Sequence, residues 1–405
     1  MASLGFYHIA TGLTINTDYV KLQGVGASRS IIYTDQASVS ILTLSAQRSS
    51  VSDMTLWNTV PTTADTLALL DGCGQSVFRD IVLAGGRYCL SAIGTGFIVD
   101  NIFENVVAQQ ALGGSTVYIK GAGTQFFKRC LFNQTWPNGV PAKTSDKGTR
   151  ANSTAYSAHD FAIYNGYYLQ CMTAGTSESS GPSFTGAYYG INLVDGGVTW
   201  RIAGNATGFA VTIETGSTYI TFDDCDTTGP YNYSVAVQNS FSGNAPDQID
   251  FTRCTSAGTT AGCFFIGAGR RITLEKNECE AVIGAGTTIA YFIGSSVTGD
   301  VTLHNNSAVT NFNYGIYLAH AGTALVTNNK IFGCVTGIYV AANVNHNQII
   351  GNDVGSSNVW GANTVSIQLA VGTSDYYWTL ANRIFGSGAI NNGATGSHFY
   401  VAGNM

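Results

Sequence analysis

Only 24 carboxylates occur among 405 residues, so where they gather carries weight. The densest group is Asp223, Asp224 and Asp226, set around Cys225 in TFDDCDT; Glu275 and Glu278 follow in TLEKNECE. Paired carboxyl groups are what glycoside hydrolysis requires. About 5 Å apart they suit a retaining route, and roughly 6.5–9.5 Å apart an inverting one. Arg253 and Lys276 occupy matching local contexts in DFTRCTS and TLEKNEC, and His304 stands one position earlier in the same frame in TLHNNSA; cations there can steady carboxylates or hold a charged sugar. Whether these residues meet depends on what repeats them.

The repeat is visible from Asp300 to Asp353. Leu303-Asn306-Ala308 aligns with Val326-Asn329-Ile331 and with Val344-Asn347-Ile349, and Gly315-Ile316-Tyr317 aligns with Gly337-Ile338-Tyr339. The Asn residues stand 23 and 18 positions apart. A period near 20, made of short β-forming runs and Gly/Asn turns, is the pattern of a β-solenoid. One coil cannot bury its own inward face; coils stacked about 4.8 Å apart pair every strand above and below and share one core. An Asn at the same corner of each coil bonds its neighbours and is satisfied.

The same slot, three residues after an apolar or aromatic residue, is filled by Cys130, Cys171, Cys225 and Cys254 in FFKRCLF, YYLQCMT, TFDDCDT and DFTRCTS. These read as small buried residues, one per coil. Earlier coils read as Val20-Leu22-Val25, Val51-Met54-Leu56, Phe78-Ile81-Leu83 and Val99-Ile102, with a further coil at Val198-Trp200-Ala203. Each coil has room for three short strands and three turns.

This ruler puts Asp223, Thr252, Glu275 and His304 in one outward column. Asp224, Arg253, Lys276 and Asn305 make the next, and Asp226, Thr255, Glu278 and Ser307 a third. Asp223 and Glu275 then stand two coils apart, the inverting distance. Glu275 reads as the acid, its pKa raised by neighbouring Asp residues, with Asp223 or Asp224 activating water. Asp226, Arg253, Lys276, Glu278 and His304 read as substrate-binding. Alternating Asp with Arg and Glu with Lys on adjacent coils is also how a solenoid neutralises its surface. His159-Asp160, Asp195 and Glu214 are rival sites.

Two polar, Gly/Pro/Ser-rich stretches, near residues 133–165 and 174–187, break the coil pattern and read as surface inserts. Around them gather Trp136, Tyr164, Tyr167, Tyr168, Tyr188, Tyr189 and Trp200. Rings of this kind stack on sugars, so Trp136, Tyr188 and Tyr189 are taken as substrate-binding, whereas Tyr168 and Trp200 read as core filler. Residues 355–405 keep a weaker β-pattern and read as the last coils and a cap of the same domain.

The composition excludes several classes. Charged residues make up 10% of the chain against about 25% in ordinary soluble domains. A net charge of −6, with no basic block, argues against nucleic acid. No apolar run approaches about 18 residues, so membrane insertion is not expected, and MASLGFYHIATG has no signal-peptide features. The nine cysteines hold no CxxC pair, which argues against a metal site, and their odd number fits folding in a reducing cytosol.

The opening GLTINTDYVKLQGVGASRSIIYTD, followed by LTLSAQRSSVSDMTLWN, resembles the first coils of bacteriophage tailspike proteins. These belong to the pectate-lyase-like right-handed parallel β-helices, and at the level of pattern the resemblance covers nearly the whole chain. It implies an all-β, right-handed parallel β-helix of roughly thirteen coils over residues 1–354, closed by residues 355–405. It further implies a homotrimer in the virion tail, in contact with other virion tail proteins and folded in the host cytoplasm. Such a protein binds bacterial surface polysaccharide, capsule or O-antigen, and cleaves it as an endo-glycosidase without a cofactor. No head-binding or trimerisation module is visible. Nor is there the paired Asn-Thr-Asp, Gly-His-Gly or Arg-Ile-Lys of polygalacturonases and lyases, or a Ca²⁺ ligand set. No catalytic residue therefore carries over, and a non-enzymatic adhesin and a free-standing polysaccharide lyase stand as alternatives.

Overall fold

The structure, a computed structural model, describes residues 5–60, 63–111, 113–184, 191–280, 283–284, 286–320, 322–355, 363–372, 377–384, 390–395 and 399–404. The chain winds through about fifteen turns of parallel strands, and the three-residue 3-10 segment Lys143–Ser145 is the one helical turn among the described residues.

One coil shows why the sequence folds this way. In Val301–His304 the side chains alternate, Val301 and Leu303 inward, Thr302 and His304 outward. Asn305 then adopts a left-handed conformation (φ 56°), which turns the chain sharply and aims Asn306 into the core. Ser307–Val309 buries Ala308, and a loop leads to Tyr314–Leu318, which buries Ile316 and Leu318. Each strand pairs in parallel register with its counterpart one coil on, as Leu303 with Val326 and Ala308 with Ile331. The left-handed corner recurs at Asp80, Asn105, Arg129, Asp224, Arg253, Lys276 and Asn328. It costs roughly 1 kcal/mol or more per residue, which the ladders on either side offset.

The corner slot holds the coils together. Asn306 donates its backbone N–H to Asn329 Oδ1 at 2.8 Å and its amide N–H to the same oxygen at 3.0 Å. The amide also donates to the Leu274 carbonyl, one coil back. The pattern repeats from Asn277 through Asn306, Asn329, Asn352 and Asn382 to Asn404. Asn347 is not a member: it pairs with Ala324, and Asn352 takes the slot instead. Two early placements shift as well. Val82 pairs with Val107, so the slot after Ile81 is Val106, and Ile102 is outward and 42% exposed. Val25 is 44% exposed; Ser30, buried beside Met54, stands in its place.

Inside, Phe78, Phe103, Phe127, Phe222 and Phe251 stack one above the next at centroid distances of 4.4–5.0 Å. The column runs straight past a large excursion. Five strands between residues 146 and 205 form a lateral, mostly antiparallel sheet, and beneath it lies a separate core of Tyr156, Leu169, Cys171, Leu193, Trp200 and Ile202. Cys171 and Trp200, expected in coils, lie in this sheet, where Cys171 is paired antiparallel with Trp200. Its base docks on the coils through Trp136, Phe161, Tyr168, Ala203 and Ile283, with the Trp136 indole N–H donating to the Gly258 carbonyl and the Tyr168 hydroxyl bonded to Thr260. The approach is close: a Cβ on Gly204 would lie 2.2 Å from Gln134 Oε1.

Candidate functional site

Four successive strands, Thr218–Asp223, Asp247–Thr252, the end of Gly262–Glu275, and Val301–His304, present three outward rows. Tyr219, Gln248, Arg271 and Asp300 form the first. Thr221, Asp250, Thr273 and Thr302 form the second, and Asp223, Thr252, Glu275 and His304 the third. The third row is the column expected from the spacing. Beyond the corner, Asp226, Thr255, Glu278 and Ser307 line up as expected too. Asp224, Arg253, Lys276 and Asn305 are the corner itself, with φ between 55° and 56°.

Most charges in the third row are already partnered. Arg253 reaches back one coil to pair with Asp223, and Lys276 pairs with its neighbour Glu275 at 2.8 Å. The Lys276 ammonium holds the Glu275 carboxyl below its usual range, the reverse of the raised pKa expected of an acid. Burial, with repulsion from Glu280 behind it, pushes Glu278 up instead. His304 Nδ1 lies 2.8 Å from the Thr327 hydroxyl and Nε2 2.8 Å from the Asn305 amide nitrogen. An amide N–H only donates, so Nε2 accepts and Nδ1 carries the proton.

An open cleft lies next to this column. A cleft of about 410 Å³ is lined by Gln248, Asp250, Arg271, Ile272, Thr273, Asp300 and Thr302. Gln248 and Arg271 have φ of 56° and 51°, and this local kink re-aims the outward side chains. Arg271, part of the cleft wall, is ion-paired with Asp247, 2.7 Å away, and Arg270 joins it at 3.0 Å. These two cations hold Asp247 well below the usual carboxylate range. Asp250 and Asp300 make no ion pair and no side-chain hydrogen bond among the described residues. A signal for them was present in the sequence: they sit two and four positions before Thr252 and His304, on the same outward face of alternating strands.

Other expected residues fall elsewhere. Trp136 is 3% exposed and packs between Phe161 and Tyr168, so it anchors the lateral sheet and cannot stack on a ligand. Tyr188 and Tyr189 lie outside the described residues. Asp195 is fully buried, accepting from Arg150 at 2.7 and 2.8 Å and from the Trp200 indole at 2.8 Å. Burial opposes its charge, but these donors more than offset that and keep its pKa low. Glu214 is buried and accepts from the Gln238 amide and the Ser240 backbone. Both are structural. Among the described residues no three His, Cys, Asp or Glu side chains gather to hold a metal ion, and no helix is long and apolar enough to cross a membrane.

Comparison with known proteins agrees with the architecture. Residues 200–354 match the family model described as right handed beta helix region. No curated protein matches the chain. Pre-mature bacteriophage phi29 gene product 12 superposes on 99% of this chain with a TM-score of 0.59 at 11% identity, over 51% of its own length. The A-module of the Azotobacter vinelandii mannuronan C-5 epimerase AlgE6 is 13% identical, covering 100% of this chain and 89% of that one with a TM-score of 0.46. The Dettilon tailspike protein is 10% identical, covering 98% and 61%, with a TM-score of 0.38. The chain thus spans about half of the phi29 protein and about six tenths of the Dettilon one. At such identities the likeness is one of fold: this chain is a right-handed parallel β-helix, and its residues 200–354 form a right handed beta helix region.

Proposed function

We propose that this chain is a tailspike-like receptor-binding β-helix that takes a bacterial surface polysaccharide along the outer face of residues 218–304. The observation that carries this is the cleft beside the Asp223–His304 column: open, polar, and mounted on strands rather than loops. A rigid groove about 4.8 Å per coil in rise suits an extended chain of sugar rings. A place in the virion tail, with other tail proteins as neighbours, belongs to the same reading. So does a homotrimer. Phe265, Phe292, Tyr317 and Tyr339 form an uncharged outer row on another face, where identical copies could meet without setting like charges together.

Hydrolysis of the bound chain is the second reading, favoured by carboxyl spacing. Asp250 pairs with Thr273, so Glu275 lies one coil and two residues away, roughly 8 Å across the sheet and inside the inverting range. Glu275, kept ionised by Lys276, suits the base that activates water, not the acid expected from the sequence.

The test incubates the purified chain with capsule and O-antigen polysaccharides and follows binding and reducing ends. Cleavage that falls about 100-fold or more in Asp250→Asn and in Glu275→Gln supports the hydrolase. Binding without cleavage makes the chain an adhesin. Absence of both rejects the polysaccharide reading.

A further inference from the structure

The net charge of the chain is concentrated, not spread. Between Thr218 and Val309 stand nine carboxylates and four Lys or Arg side chains, a surplus of five negative charges out of six for the whole chain. All four cations are engaged: Arg253 on Asp223, Lys276 on Glu275, and both Arg270 and Arg271 on Asp247. Asp250 and Asp300 face the cleft without an ion pair among the described residues, and the one cation in its wall, Arg271, is engaged by Asp247. A concave site whose unpaired charges are of one sign focuses that field on whatever enters. An anionic sugar would meet two unpaired carboxylates there, while the Arg271 guanidinium is already held by Asp247.

We propose, resting on the polysaccharide reading above, that the cleft selects a glycan whose repeating unit carries no carboxylate or phosphate. Its threonine hydroxyls and the Gln248 amide would bond neutral hydroxyl groups, while Asp250 and Asp300 accept hydrogen bonds from them. Amino substituents fit the same field. Uronic-acid and phosphate-bearing chains are excluded by repulsion, not by shape.

Bacterial capsule and O-antigen polysaccharides, purified free of lipid and sorted by the anionic groups of their repeats, would be titrated against the full chain. Binding is expected only among non-anionic members. For an uncharged one, affinity should change less than about two-fold between about 0.05 and 0.5 M salt. In an Asp250→Lys/Asp300→Lys variant, acidic members should gain at least ~10-fold at low salt. An acidic chain bound by the unaltered protein overturns the charge selection and leaves the polysaccharide reading standing. A double variant that keeps its neutral ligand yet still rejects every acidic chain removes the cleft from the selection. No binding to any member overturns both readings together.

Discussion

Phe127 and Phe222 stack with centroids 4.4 Å apart and ring planes 3° from parallel, although the whole lateral sheet lies between them in sequence. The core therefore resumes its register after the excursion as if the chain had never left. Lys128 pairs with Asp223 and Leu131 with Asp226, as consecutive coils do.

A chain in which a four-residue turn copied from residues 258–261 replaces residues 134–208 should thus still fold as a β-helix. It loses the burial of Trp136, Phe161 and Tyr168 and uncovers Ile283. The expected outcome is unchanged far-UV circular dichroism per coil and cooperative unfolding, with a Tm lowered by several degrees. Loss of cooperativity would mean the lateral sheet is integral to the coils.

Two buried asparagines should answer the same substitution in opposite ways. Asn329 accepts from Asn306 and donates to Asn352 and to the Leu303 carbonyl, so Asn329→Leu strands several buried polar groups. A loss of about 2–4 kcal/mol is expected. The Asn347 amide is buried and makes no hydrogen bond among the described residues. Asn347→Leu should therefore gain about 1 kcal/mol. Urea unfolding midpoints of the two variants check the pair.

His320 should give the fold an acid limb. Burial pushes its imidazole down from 6.5 to about 4. The unfolded chain takes up a proton near pH 6.5 while the folded one waits until about pH 4, so in that window the unfolded state binds more protons. Stability is then full above pH 6.5, falls as pH drops, and levels off below about 4. The total loss is on the order of 3 kcal/mol. His320→Phe should flatten this part of a stability–pH profile, and an unchanged slope would assign it to other groups.

All nine cysteines are free and buried. Burial pushes the Cys73 and Cys334 thiols up to about 12 and Cys171 to about 11. Burial should keep a hydrophilic disulfide reagent at pH 8 from nearly all nine thiols in the native chain, and unfolding should expose all nine. Fast native labelling of any thiol would show that its coil opens.

The fold was readable because alternation and the corner slot are local signals repeated many times. The Asp223–Glu275–His304 column followed from them directly. The failures came where one local pattern fits two placements. VNHNQIIGNDV holds two Asn-x-apolar frames, and only strand pairing selects Asn352 over Asn347. FIVDNIFENV likewise offers both Ile102 and Val106. YYLQCMT looks like FFKRCLF, yet an antiparallel sheet uses the same alternation, so Cys171 was misplaced. At the site, Lys276 beside Glu275 was visible, but that the ammonium folds back onto the carboxylate, and that Arg271 is held on Asp247, depends on the three-dimensional corner.

The asparagine slot also has a direction. In every member from Asn277 to Asn382 the amide oxygen faces the coil before and an amide N–H the coil after, starting with the Cys254 N–H donating to Asn277 Oδ1 at 2.9 Å. The side-chain dipoles therefore add along the helix axis, each polarising the next. The column behaves as a chain of aligned dipoles, so a member lost from its middle weakens both halves, while one lost from its end weakens only its neighbour.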